Sequence, residues 1–114
     1  MLNNKINIYL DDCRKCPNGF VLAKNTDELM ELFNNNEVNI LSLDHDLGVN
    51  DNNELLDTGY DFVKYFCENG LYADQIYIHS DNVVGRANMY ETLLGAQRRG
   101  FISQDIKIFR YPYY

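Results

Sequence analysis

Short apolar runs separated by polar, turn-forming stretches set the rhythm of this chain. Ile6 to Leu10, Val38 to Leu43, Gln75 to Ile78 and Ile106 to Phe109 are rich in Ile, Leu and Tyr and are of strand length. Between them apolar positions recur at helical spacing: Leu29, Leu32 and Phe33 behind an Asn25-x-x-Glu28 cap, Phe62, Val63 and Phe66 behind Thr58-x-x-Asp61, and Val83, Ala87, Tyr90 and Leu94 behind Asn82. Gly70 and Gly100 close the second and third of these helices. Strands alternating with helices predict an α/β domain with βαβ units, right-handed crossovers and a mostly parallel sheet of four to five strands.

A candidate fifth strand is Phe20 to Ala23, which only Cys13 to Gly19 separate from the first. A parallel crossover takes about a dozen residues, so this run is expected to be an antiparallel edge or simply extended. With the four main strands in chain order, all three helices fall on one face of the sheet. The aromatic tail Tyr111-Pro112-Tyr113-Tyr114 or a homodimer would cover the other.

Composition narrows the setting. At 114 residues, with 46% hydrophobic and 24% charged positions, the chain reads as one globular domain spanning residues 1–114. No apolar run approaches the roughly 20 residues of a membrane helix, and MLNNKINIYL lacks the basic head and apolar middle of a signal peptide; the cytoplasm is the expected address. A net charge of −7 argues against a surface that grips a long nucleic-acid backbone, but leaves a small phosphorylated ligand or an RNA terminus open. Of the three cysteines, Cys13 and Cys16 form a CxxC after the first strand. Pro17-Asn18-Gly19 then signals a turn where a redox motif needs a helix, so plain loop thiols are the favoured reading, ahead of a metal clip.

Each main strand ends on charged or reactive groups: Asp11-Asp12, then Asp44-His45-Asp46, then His79-Ser80-Asp81-Asn82, then Arg110. Taken singly, these have structural readings as turn formers, a satisfied core histidine or a helix cap. In a parallel sheet all four sets meet at the carboxyl edge, where open α/β sheets bind ligands, and so many like charges in one crevice call for a cation or a phosphate. Asp11, Asp12 and Asp44 are hard oxygen ligands for Mg²⁺ or another divalent ion. His45 and His79 are suited to moving protons near neutrality, which with Asp44 and Ser80 makes a candidate catalytic group. Asn82, Arg86 and Arg110 offer donors and positive charge to phosphate oxygens. Asp46 and Asp81 would orient the imidazoles or lie in solvent, and Gly48 and Gly85 would let backbone approach a ligand.

IYLDD, SLDHDLG, TGYDFVKYF and IHSDNVVGRANM together resemble the motif set of the cyclic-phosphate processing receiver-like domains, relatives of response-regulator receivers, across nearly the whole chain. The resemblance implies a small flavodoxin-like fold and action on cyclic phosphates at RNA ends or in nucleotides. It places Asp11, Asp12 and Asp44 in the receiver acidic pocket, with Asp44 at the phosphoacceptor position, Ser80 at the hydroxyl position and Arg110 in place of the lysine. A signalling receiver has no use for His45 and His79, needs that lysine, and carries a first crossover helix and a last helix that this sequence lacks. The expected activity is therefore a phosphoesterase opening a 2′,3′-cyclic phosphate, one histidine activating water and the other protonating the leaving ribose oxygen. The alternatives are a binding module that sequesters or senses a cyclic nucleotide, as a phage anti-defence protein would, and a degenerate receiver phosphorylated on Asp44.

Overall fold

The computed structural model describes residues 4–113, so Tyr114 of the aromatic tail and Met1 to Asn3 of the N-terminal stretch lie outside the described residues. In chain order the elements are β1 (Ile6–Leu10), β2 (Phe20–Ala23), α1 (Thr26–Asn35), β3 (Val38–Leu43), α2 (Gly59–Glu68), β4 (Gln75–Ile78), α3 (Val83–Arg98) and β5 (Lys107–Ile108). They build one five-stranded sheet in the order β2-β1-β3-β4-β5 with every neighbouring pair parallel. This is the small flavodoxin-like receiver architecture.

Local chemistry places the helices. The Asn25 side chain accepts from the Glu28 amide, Thr58 and Asp61 form a reciprocal capping box, and Asn82 accepts from the Gly85 amide. Such caps satisfy donors that the first turn of a helix leaves open. Along the strands, alternate residues point to opposite faces. Ile8, Leu10, Leu41, Leu43, Ile76 and Ile78 lie on one face and pack with Leu29, Phe62, Phe66, Met89 and Leu93 of the helices into one buried cluster.

The second strand departs from expectation: β2 runs parallel to β1, pairing Asn7 with Phe20 through Leu10 with Ala23. Phe20 sits level with Asn7, three residues back from Leu10, so the return covers about 10 Å of strand length. Residues 11–19 reach roughly 30 Å when extended, so no helix is needed to close the crossover. A turn at its end, with Phe20 N donating to the Pro17 carbonyl at 3.2 Å, feeds the strand. This crossover steps in the opposite direction across the sheet from the three helical ones, so the same right-handed rule puts it on the opposite face.

On that face the aromatic tail is the cover seen within a single chain. Tyr77 stacks on Phe109 at 4.6 Å between ring centroids, and Tyr113 packs edge-on against both Tyr77 and Phe20. The last strand is shorter than the run Ile106 to Phe109 predicts, yet Phe109 N still donates to the Ile76 carbonyl and Ile78 N to the Tyr111 carbonyl, which ties the tail to β4. In α3 the buried stripe is Gly85, Met89, Leu93 and Ala96; Val83 and Ala87 face solvent and Tyr90 and Leu94 are half-buried. Both stripes are apolar enough to serve, and the rotation is set by Gly85, the position that lets another side chain close against the helix.

Candidate functional site

That side chain is His45. A Cβ at Gly85 would stand 2.5 Å from its Cγ and Cδ2. At the start of α2 the approach is closer still, since a Cβ at Gly59 would stand 1.9 Å from the Asp44 carbonyl oxygen, while Gly59 N donates to the His45 carbonyl at 2.8 Å. Two glycines thus press two helix starts onto the loop after β3 and hold Asp44 and His45 in place.

Beside this loop, Asp11, Asp44 and His79 bring three ligand-type atoms within 4.8 Å of one another. Asp11 and His79 are buried. Burial pushes the Asp11 carboxyl up, but the Arg14 and Cys13 amides and the His79 ring outweigh it and hold the acid below its usual range. Burial likewise keeps the His79 imidazole below its ordinary value against the pull of Asp11. An ionised carboxylate accepts only, so His79 donates Nε2–H to Asp11 Oδ2 at 3.0 Å and its Nδ1 accepts from the Ser42 hydroxyl at 2.7 Å. The ring also stacks on Tyr9, centroids 4.2 Å apart and planes 5° from parallel. Asp44 goes the other way: burial raises it to about 6, the Asp11 charge adds to the rise, and the His45 amide and Ser80 hydroxyl oppose it.

His45 is held differently. Its Nδ1–H donates to Asp46 Oδ1 at 2.9 Å, and the Asn82 amide, at 3.3 Å, donates to the other Asp46 oxygen. With Nδ1 so engaged, Nε2 presents its lone pair and has no hydrogen-bond partner among the described residues.

The edge therefore separates the candidate residues into neighbouring groups. Buried Asp11, His79 and Ser80 form the centre with half-buried Asp44, and His45, Asp46 and Asn82 form an open flank. Asp12, expected among the metal ligands, is exposed and lies outside the cluster. It follows Asp11 at a strand end, where consecutive side chains point apart, and its carboxylate rests 2.8 Å from where a Cβ of Gly48 would stand; with Gly48 at φ 84°, a side chain there is disfavoured twice over. Arg86 donates to the Ser80 carbonyl at 3.3 Å. Arg110 is exposed and lines a groove with Arg86 rather than the centre. Asp81 takes an ion pair from Arg14, a residue absent from the sequence-based set. Arg14 also donates to the His79 carbonyl at 2.9 Å, pinning the first loop to the end of β4. Ser42 and Tyr9 are the other two site residues missed, although Ser42 is visible as the polar interruption of ILSLD. Cys13 and Cys16 are free thiols, Cys16 donating to the Phe20 carbonyl. Tyr9, Arg14, Ser42 and His79 share a cavity of about 100 Å³ with Phe20 and Tyr113 under the tail.

Two carboxylates and an imidazole nitrogen are a donor set for a divalent cation, and the imidazole suits a transition ion such as Mn²⁺ as well as Mg²⁺. The fit has a further basis in charge: Asp11 and Asp44 repel each other, and a cation between them would relieve that cost. Binding at His79 Nε2 requires that nitrogen to give up its proton, which Nδ1 can carry if the Ser42 hydroxyl turns from donor to acceptor.

A five-stranded parallel sheet with acids, a hydroxyl and imidazoles at its carboxyl edge defines a receiver-like domain with an altered pocket. The cyclic-phosphate processing receiver domain model matches residues 6–95, and the chain belongs to that family. No curated protein and no solved structure matches it. Membership ties the domain to cyclic-phosphate processing. No helix among the described residues is long and apolar enough to cross a membrane.

Proposed function

We propose that this domain is a phosphoesterase that opens 2′,3′-cyclic phosphates. The observation that carries this reading is the Asp46–His45 pair with its free Nε2 beside the Asp11, Asp44 and His79 cluster. In this reading His45 Nε2 takes a proton from water as the oxygen attacks phosphorus. One ribose-oxygen bond to phosphorus breaks, and the proton passes to that leaving oxygen, so a phosphomonoester and a free hydroxyl result. Asp46 orients the ring and stabilises its charged form. Asn82 and Arg86 offer donors to the phosphate oxygens at the start of α3, where the helix dipole favours an anion, while the buried Ser80 hydroxyl is engaged by Asp44. Asp11, Asp44 and His79 would hold a divalent ion, whose chemistry there is to draw charge from a phosphate oxygen. His79, buried with both nitrogens engaged, serves as the holder of this cluster rather than as the second proton carrier.

Phosphorus NMR of a 2′,3′-cyclic nucleotide with wild type and His45→Ala, with Mg²⁺, with Mn²⁺ and with chelator, tests the reading. Loss of the cyclic resonance with wild type alone supports it. The saturated hydrogen bonding of His79 favours one other reading, a module that binds a cyclic nucleotide without turnover, and a resonance that broadens but persists would select it. Phosphorylation of Asp44 by acetyl phosphate, seen as an added phosphoryl mass, would instead point to a degenerate receiver.

A further inference from the structure

Arg86 links the candidate centre to a second feature. Its guanidinium donates to the Ser80 carbonyl, and it also lines a groove of about 380 Å³ between α3 and the segment after β5. Arg110, Tyr111, Tyr90 and Val83 line it with Arg86. The volume lies in the range of small-ligand pockets, roughly 300–1,000 Å³. Tyr111 is 55% exposed and Val83 66%, so flat apolar surface is left bare beside two cations. Glu91 also lines the groove, which leaves two guanidiniums against one carboxylate. That balance suits the single charge of one phosphodiester rather than a polyphosphate, and tyrosine faces beside arginines are what a stacked base uses in single-stranded RNA. Arg110 and Tyr111 fall beyond residues 6–95, the part shared with the family.

We propose that this groove holds the nucleotide preceding the cyclic phosphate, its base against Tyr111 and its phosphodiester between Arg86 and Arg110, so that the preferred ligand is an RNA 3′ end rather than a free cyclic nucleotide. The inference rests on the cyclic-phosphate reading above. The net charge of −7 fits a contact limited to the last one or two nucleotides, because a longer footprint would meet repulsion.

The test compares a 2′,3′-cyclic mononucleotide with a dinucleotide ending in the same cyclic phosphate, measuring kcat/KM and, by calorimetry, affinity. A preference of about tenfold or more for the dinucleotide is expected in both. Arg110→Gln and Tyr111→Leu should each cut that ratio several-fold. Equal kcat/KM and equal affinity for the two ligands overturn the inference while leaving the esterase reading standing. If neither ligand is hydrolysed, the esterase reading falls, and the affinity ratio alone decides the groove. A preference that both variants leave intact places the preceding nucleotide elsewhere and also overturns it.

Discussion

The two histidines sit at the same sheet edge in opposite circumstances. His79 is sealed: both ring nitrogens are spent on Asp11 and Ser42, and Tyr9 lies flat against it. His45 uses one nitrogen on an exposed aspartate and rests on a glycine, with its other nitrogen open. A saturated, buried imidazole is a strut that orders acids around it, whereas an oriented imidazole with a free lone pair can exchange protons. In the proposed reading, the same residue type thus serves folding in one place and chemistry in the other.

Four substitutions test this contrast, ranked by their effect on folding. His79→Ala removes a buried ring and two buried hydrogen bonds, so a loss of about 3 kcal/mol is expected in urea unfolding. A loss below about 1 kcal/mol would break the contrast by showing that the strut carries little. Asp44→Asn should act in the opposite direction. An acid whose folded-state pKa of about 6 exceeds its unfolded value binds more protons when folded. In metal-free protein stability is therefore full below about pH 4 and falls as pH rises through about 6. The asparagine variant should be about 2 kcal/mol more stable at neutral pH, should lack that slope, and should lose any rise in Tm that Mn²⁺ gives the wild type. Retention of the slope would assign it to another group.

Gly85→Ala should matter less to folding than either, because alanine gains up to about 1 kcal/mol of helix propensity while its Cβ displaces the His45 ring. Turnover of the cyclic phosphate should nonetheless drop about a hundredfold. Unchanged turnover with a displaced ring would remove His45 from the chemistry. Asp46→Asn offers the mildest version, with folding unaltered within about 0.5 kcal/mol and turnover lowered roughly tenfold through loss of ring orientation.

The parts of this molecule legible in advance are those written locally. Three strand runs, the caps at Asn25, Thr58 and Asn82, and the gathering of Asp11, Asp44 and His79 at one edge all follow from spacing and from the rule that parallel strands share an end. What escaped depended on partners distant in the chain. Ser42 meets His79 from 37 positions away and Arg14 reaches the His79 carbonyl across 65, so neither could be distinguished from an ordinary strand serine or loop arginine. The buried stripe of α3 differs from the expected one because apolar residues occupy two of its faces, and the contact of Gly85 with His45 chooses between them.

By itself, then, the sequence determined the alternation of strands and helices and the edge on which the polar residues collect, since both are matters of period and direction along the chain. The tertiary structure alone decided that Asp11 and not Asp12 joins Asp44, that β2 returns parallel without a helix, and that one histidine is sealed while the other stays open. Those outcomes turn on the path of a short loop, on the way a strand's last side chains diverge, and on two helix starts with no side chain to keep them away.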